Sequence, residues 1–348
     1  MNRWWWLVCF AALLPLNQAE AIKLPAYIWI SPAEISQLPR SGQAWQKLKR
    51  NADKPLALPN LSDQNDSTDV RVLAKALVFV RTGEQRYRQA VINACISVIN
   101  SENGGTTLAL GRGLLAYVIA AQLVDLPPLA QQQFTHWLKT LLDKPLKGRT
   151  LRSTHEQRAN NWGTHAGASR AAVAIYLQDE QELRRTAVIF RGWLGERRFY
   201  HGFKYKRTER WQGNGQKPIG INAKGASKLG HSIDGVLPEE QRRAGKFSWP
   251  PAKEGYVYEA LQGALALAVI LHRSGYQPFE WSDKALLRAF QWLHQQADFP
   301  AQGDDTWLPH IVNYYYGSHF PAPIPSSPGK NVGWTDWTHS HHQQTSPQ

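Results

Sequence analysis

Cysteine is scarce in this sequence, with only Cys9 and Cys95 among 348 residues. Cys9 lies in a short apolar run, residues 4–16, that follows one positive residue, Arg3. With the small residues of the stretch 19–21, this run predicts a secretory signal peptide cleaved after Ala21. Because Cys9 would leave with the signal, we expect a mature chain without an internal disulfide, stabilised by its hydrophobic core.

The N-terminus also lacks a hydrophobic run long enough to span a membrane. The apolar run there is shorter than the roughly 20 residues that cross a bilayer. We therefore expect a periplasmic or secreted protein, with no stable membrane insertion after signal cleavage.

Acidic residues are few relative to basic ones, 27 against 40, and the formal net charge is +13. An exported basic protein rarely meets nucleic acid, so the expected polyanion is an acidic polysaccharide, an anionic lipid headgroup or a cell-wall polymer. The 15 tryptophans and 12 tyrosines could supply platforms for sugar rings or simply fill a helical core. No nucleic acid partner is expected, and the chain is expected to be a monomer.

Alternating strand patterns are scarce, and the apolar spacing is helical over most of the chain. Val70, Leu73, Ala74, Leu77 and Val78, for example, recur on one helical face. Similar spacing predicts helices at 91–99, 112–124, 129–142, 161–177, 181–194, 256–273 and 283–297. Successive helical hairpins predict an all-α fold, an incomplete α/α toroid, although no sequence motif repeats.

The chain divides into four predicted regions. After the signal peptide, residues 22–66 are proline-rich and predict an irregular N-terminal wrap, followed by the helical domain at 67–320 and a frayed tail at 321–348. A long interruption at 199–255 contains nine Lys or Arg and one acid between residues 197 and 228, interleaved with aromatics such as Trp211. Because long loops in compact domains are usually functional or disordered, and disordered segments hold fewer aromatics, we expect an ordered cationic lid or cleft wall.

Metal-ligand motifs are absent from the sequence outside the tail, where His339, His341 and His342 could bind a metal adventitiously. We therefore expect no metal and no cofactor.

The stretch HEQRANNWGTHAG, residues 155–167, is unusual for a helix start. Asn161 and His165 would lie one turn apart on one face. Asparagine suits a helix N-terminus, and capping would explain one of the pair Asn160 and Asn161. The positive partial charge at a helix start also suits a carboxylate ligand.

A second cluster lies at 234–268, with Arg242 and Arg243 in a turn region and Tyr256 and Tyr258 opening an apolar helix. Amides, guanidinium, imidazole and phenol together suit elimination from a uronic acid. Asn and Arg can neutralise the sugar carboxylate and stabilise the dianionic intermediate. A His or Tyr can take the proton next to that carboxylate, and a Tyr can protonate the leaving oxygen.

At these residues the chain resembles the alginate lyase superfamily of polysaccharide lyases, family five and its relatives, whose fold is an α/α toroid. The family's paired-asparagine motif resembles residues 160–162, its Asp-Gly-x-Leu-Pro-x-Glu-x-x-Arg stretch resembles 234–243, and its Tyr-x-x-x-Ala-Leu helix opening matches 256–261. The resemblance covers most of 65–317.

This resemblance implies that Asn161 and Arg243 hold the substrate carboxylate and that Tyr256 is the catalytic phenol. Two departures stand out: Trp162 occupies the place of the family's catalytic histidine, and the segment between Asn161 and Arg243 is longer. The imidazole is then expected from His201 or His231, with His165 as the third candidate. Further candidates for substrate binding are Arg158, Asn160, Trp162, Arg242 and Trp211. The departure at Trp162 leaves a glucuronic-acid polymer as good a substrate as alginate.

Two other functions remain open from the sequence. A glycoside hydrolase on an α/α barrel needs two carboxylates across a cleft, for which the candidates are Glu156, Asp234, Glu239, Asp304 and Asp305. A polyuronate-binding protein without catalysis is also consistent with the loss of the family's histidine. The favoured function is an exported lyase that cleaves an acidic polysaccharide by β-elimination.

Overall fold

The computed structural model describes residues 24–325 and 327–340, so the predicted signal peptide lies outside the described residues. One antiparallel hairpin, β1 (Ser227–Lys228) with β2 (His231–Ser232), accompanies a series of helices. The helices are α1 (Pro32–Gln37), α2 (Gly42–Asp53), α3 (Thr68–Thr82), α4 (Gln85–Ser97), α5 (Thr107–Val124), α6 (Pro128–Leu141), α7 (Leu151–Gln157), α8 (Asn161–Tyr176), α9 (Glu180–Leu194), α10 (Pro238–Gln241), α11 (Tyr256–Arg273), α12 (Trp281–Gln295), α13 (Leu308–Tyr316) and α14 (Thr335–Thr338).

The most extensive packing joins helices two or three apart in the chain, and consecutive helices pack beside them. Helix α3 contacts α4 and α5, α5 contacts α8, and α8 contacts α9 and α11. This succession of paired helices is an incomplete α/α toroid, which confirms the predicted all-α fold.

Helix α8 lies at the centre of the fold, between α5 and α11. Small residues make this close packing possible. A Cβ added at Gly111 of α5 would lie 3.0 Å from the backbone nitrogen of Ala166, and one at Gly263 of α11 would lie within 3 Å of the backbone of Thr164 and His165. Within the stretch 155–167, a Cβ added at Gly167 would lie 2.7 Å from Nε2 of His155, so this glycine also serves packing, while the asparagines require another explanation.

Among the described residues, α5 is the one helix long and apolar enough to cross a membrane. It is 89% buried inside the protein, against α3, α4 and α8. Its only charged residue, Arg112, is also buried and lies at the site described below. Helix α5 is therefore a core helix of the toroid.

The N-terminal region 22–66 is less irregular than predicted. Helix α1 begins with a capping box, in which Ser31 accepts from the backbone of Glu34 and the Glu34 carboxylate accepts from the backbone of Ser31. Helix α2 buries Trp45 and Leu48 against the core. The sequence contains the Ser-Pro-x-Glu pattern of a helix start, but the surrounding prolines favoured the prediction of irregular structure.

The prediction of a frayed tail at 321–348 is wrong for its described part. The indole nitrogens of Trp334 and Trp337 donate to the backbone oxygens of Val70, at 2.7 Å, and Pro39, at 2.9 Å. Both rings are buried, and His339 is buried against the ring of Trp29. This segment therefore closes the toroid against α1–α3, while His341 and His342 lie outside the described residues. No group of three potential metal ligands occurs among the described residues.

Candidate active site

A cleft of about 630 Å³ lies where the N-terminal ends of α8 and α11 meet. Four residues predicted from the sequence, Asn161, Trp162, Arg243 and Tyr256, line it together. The rest of the lining comes from α5, from the loops before α3 and α11, and from the C-terminal segment: Gln64, Asn65, Leu108, Arg112, Glu254, Gly255, Glu259, Asp305 and Lys330.

Arg243 and Tyr256 form the most direct contact in this cleft. The guanidinium carbon of Arg243 lies 3.8 Å from the centroid of the Tyr256 ring. Tyr256 is the first residue of α11 and is 45% exposed, which is unusual for a large side chain here. The phenol therefore stands at the cleft surface with a cation beside it.

Glu240, in α10, contacts both the start of α8 and the side chain of Arg243. One carboxylate oxygen accepts from the backbone nitrogen of Asn161 at 2.5 Å, and the other lies 2.8 Å from Nε of Arg243 in an ion pair. Burial raises the pKa of Glu240 to about 7, although Arg243 and the Asn161 amide oppose the shift. The side chain thus ties the start of α8 to the guanidinium that faces Tyr256.

Neither asparagine of the pair caps α8 through its side chain. The side-chain oxygens of Asn160 and Asn161 are buried and lack a hydrogen-bond partner within the described part of the chain. A buried polar atom left unpaired costs about 1–3 kcal/mol. Asn161 lines the cleft, so a ligand there that carries a hydrogen-bond donor would satisfy its oxygen, which helix capping does not.

The floor of the cleft carries charges of both signs. Arg112 forms an ion pair with Glu259, and Lys330 lies 3.7 Å from Glu259 and 3.3 Å from Asp304. Asp305 accepts a hydrogen bond of 2.6 Å from Gln262, and burial raises its pKa to about 6.

Part of the chain matches a known protein family. The family model "Alginate lyase" matches residues 32–203, a range that includes the start of α8 and ends before Arg243 and Tyr256. Residues 32–203 therefore belong to the alginate lyase family of polysaccharide lyases. No curated protein matches the sequence.

Solved structures of alginate lyases share the fold of this chain. A histidine-to-alanine variant of alginate lyase A1-III complexed with tetrasaccharide has a TM-score of 0.57 at 11% identity, over 94% of this chain and 98% of the other. An alginate lyase from Bacteroides ovatus has a TM-score of 0.57 at 12% identity, over 90% and 98%. A tyrosine-to-phenylalanine variant of A1-III, also with tetrasaccharide, has a TM-score of 0.55 at 12% identity, over 88% and 92%. At this identity the likeness concerns the fold alone.

The histidines predicted from the sequence do not reach the cleft surface. His165 is fully buried beneath it, where Arg112 Nε donates to His165 Nε2 at 3.4 Å, and burial holds the pKa of His165 well below its usual value. His201 is exposed, and His231 stacks on Trp249 with 4.3 Å between ring centroids. Among the described residues, no histidine lines the cleft. The expectation of an imidazole at the reacting centre, and of direct substrate contact by His165, is therefore corrected.

Trp162, at the position of the family's histidine, separates the cleft from a smaller cavity of about 280 Å³. The ring of Trp162 lies under the guanidinium of Arg158, at 4.9 Å. Trp162 and Arg243 line both cavities, and the predicted residues Arg158, Asn160 and Arg242 line the smaller one.

The assignment of Trp211 to substrate binding is wrong. Its side chain is completely buried, 4.9 Å from the Phe247 ring, and its indole nitrogen donates to the backbone oxygen of Gly245. Trp211 forms the core of the loop 199–255, so it orders the cleft wall without touching a ligand.

The carboxylates considered for a hydrolase are dispersed. Glu156 pairs with Arg170, and Asp234 pairs with Arg288, away from both cavities. Asp305 lines the cleft and Glu239 lines the smaller cavity, so no two of the candidates line the same cavity.

Sequence patterns did not indicate four charged residues of the cleft: Arg112, Glu254, Glu259 and Lys330. A signal existed for two of them. Arg112 is the single charge in the apolar helix α5, and Glu259 is one turn beyond Tyr256 on α11. Lys330 reaches the cleft only because the C-terminal segment folds back, which no local pattern indicates.

Proposed function

We propose that this chain cleaves an acidic, uronic-acid-containing polysaccharide, such as alginate or glucuronan, by β-elimination. The observation that carries the proposal is the meeting of Asn161, Arg243 and Tyr256 in one cleft, with Glu240 joined to the first two. Amide, guanidinium and phenol are the groups that this elimination requires.

Binding of the sugar carboxylate is assigned to Asn161 and Arg243. The side-chain NH2 group of Asn161 and the guanidinium of Arg243 offer hydrogen-bond donors to the carboxylate, and the guanidinium adds positive charge. When the proton beside the carboxylate leaves, negative charge spreads onto the carboxylate oxygens. Preorganised donors stabilise that charge more than they stabilise the ground state, so they lower the barrier.

Proton transfer is assigned to Tyr256. Its phenolate oxygen takes the proton from the sugar carbon next to the carboxylate. The electron pair of that C–H bond forms the new carbon–carbon double bond, and the bond from the neighbouring carbon to the glycosidic oxygen breaks. The phenol then returns the proton to the leaving oxygen, so one side chain serves as base and acid. This assignment is supported by the exposure of Tyr256 at the cleft and by the positions of the histidines away from its surface.

An oligosaccharide ligand is also consistent with the similar structures. Two of them are tetrasaccharide complexes of alginate lyase A1-III variants, one lacking a histidine and one lacking a tyrosine. We further propose that the chain acts after export, as a monomer in the periplasm or outside the cell, because its N-terminal sequence has the features of a signal peptide.

The test is a panel of polyuronates followed by ultraviolet absorbance. A lyase leaves an absorbing unsaturated uronate at each new chain end. A hydrolase would leave new reducing ends without absorbance, and a binding protein would leave neither. Reducing ends without absorbance, or binding without cleavage of any polyuronate, would contradict the proposal.

A further inference from the structure

The smaller cavity beside the cleft is lined mostly by cations. Five basic residues face it, Arg158, Lys204, Lys206, Arg242 and Arg243, against a single carboxylate, that of Glu239. Glu239 is already engaged, because Arg242 forms an ion pair with it and the backbone nitrogen of Lys206 donates to it at 2.7 Å. The cavity therefore has an excess of positive charge.

The loop that carries the two lysines is fixed to the body of the protein. Residues 158 and 204 form a parallel bridge, and the backbone nitrogen of Lys204 donates to the backbone oxygen of Gln157 at 2.8 Å. Arg158, on the other side of this bridge, lies over the ring of Trp162. The cations thus project from a defined wall, which reduces the cost of ordering them around a ligand.

Unpaired polar atoms also line this cavity. Asn160 is only 7% exposed, and its side-chain oxygen has no hydrogen-bond partner in the described part of the chain. Nε of Arg158 and Nε of Arg242 are likewise buried without a partner. Cations alone would suit any anion, but the Asn160 oxygen needs a donor such as a hydroxyl. A sugar that carries both a carboxylate and hydroxyls supplies both kinds of group.

The two cavities share Trp162 and Arg243 as a common wall. A polysaccharide passing over Trp162 would place one sugar in the cleft and a neighbouring sugar in the smaller cavity. We propose that the smaller cavity is a second uronate subsite, which binds the carboxylate and hydroxyls of a neighbouring sugar in the same chain. This inference rests on the proposed function.

The subsite has a consequence for the substrate. Because the cations of both cavities would bind carboxylates of nearby sugars, the preferred polymer carries a uronate at successive positions. Polymers in which neutral sugars separate the uronates would leave the smaller cavity without its anion and would react more slowly. Substrates too short to reach past Trp162 would not use the cavity at all.

The test compares two double variants of equal charge. Lys204→Gln with Lys206→Gln removes two cations from the cavity, whereas Lys217→Gln with Lys224→Gln removes two exposed cations of the same loop that line neither cavity. Both are assayed for kcat/KM on uronate oligomers of increasing length. We expect the cavity variant to lose roughly three- to tenfold on long oligomers and nothing on the shortest one cleaved, while the control matches wild type.

The outcomes separate this inference from the proposed function. Cleavage by wild type together with equal values for the two double variants, or an equal loss at every length, would overturn the subsite and leave the function standing. Absence of cleavage by wild type would overturn both. Inorganic sulfate, compared with chloride at equal ionic strength, tests a free anion as the occupant. If sulfate inhibits wild type more than the cavity variant, equally at all oligomer lengths, the cavity is a free-anion site and the subsite is wrong.

Discussion

The guanidinium of Arg243 lies over the ring of Tyr256, with 3.8 Å between the guanidinium carbon and the ring centroid. The two residues come from separate sequence motifs, one in the loop after α10 and one at the start of α11. Glu240 holds the guanidinium from its other side. The position of the cation at the phenol is therefore set by a buried carboxylate.

Substitution of Arg243 tests the charge at this contact. Arg243→Ala should lower kcat/KM by on the order of 10²–10³, because the developing charge on the substrate loses a preorganised donor. Arg243→Lys should recover only part of the loss, since an ammonium keeps the charge but lacks the planar donor geometry. Steady-state kinetics on a polyuronate measure both, and full activity of Arg243→Ala would remove Arg243 from the mechanism.

Glu240 should produce an acidic limb in the pH profile. Its pKa is raised to about 7, so protonation as the pH falls through 7 removes the negative charge that holds Arg243. We expect activity to fall below pH 7. Glu240→Gln keeps an acceptor for the Asn161 amide but has no charge at any pH. It should be less active than wild type at pH 8 and should lose this limb.

Asp305 provides the comparison for that experiment, because its pKa is about 6 and it also lines the cleft. The pH profiles of Glu240→Gln and Asp305→Asn are recorded side by side. An unchanged acidic limb in Glu240→Gln, with its loss in Asp305→Asn, would assign the titration to Asp305 instead.

Gly263 should be sensitive to the addition of a single methyl group. In Gly263→Ala the new Cβ would lie within 3 Å of the backbone of α8, so α8 and α11 must separate. We expect the free energy of unfolding to fall by about 1–3 kcal/mol, measured by urea denaturation. Gly255→Ala is the control, since nothing lies within 4 Å of its added Cβ. Equal stability of the two variants would show that the helices can adjust without cost.

Export predicts a defined N-terminus. Protein recovered from the periplasm or the medium should begin at Ile22, as determined by N-terminal sequencing. A protein that keeps its first 21 residues and stays in the membrane fraction would contradict the prediction.

Helices were predictable from the sequence because their apolar spacing is a local property. The predicted helix 256–273 has the same bounds as α11, and the predicted helix 161–177 differs from α8 by one residue. The relation of Asn161 to His165 on one helical face was also anticipated. Local spacing does not show whether that face lies against the core or the cleft, and at His165 it lies against the core.

Non-local contacts account for the remaining differences. Trp211 carries no local sign that distinguishes a core tryptophan from a sugar platform, because both are aromatic and both lie among cations. The burial of Trp334 and the position of Lys330 depend on the return of the C-terminal segment to α3 and the cleft. Such contacts join residues far apart in the chain, and only the folded structure brings them together.

The central claim is that Tyr256 transfers the proton, and two tyrosine variants test it most directly. Tyr258, two residues along α11, is fully buried, and its hydroxyl donates to the backbone oxygen of Phe299 at 2.6 Å, so it has no access to substrate. The measurement is kcat for Tyr256→Phe and Tyr258→Phe on the same polyuronate, by absorbance of the unsaturated product. The account predicts a loss on the order of 10²–10⁴ for Tyr256→Phe and activity close to wild type for Tyr258→Phe. Near-normal turnover by Tyr256→Phe would contradict it.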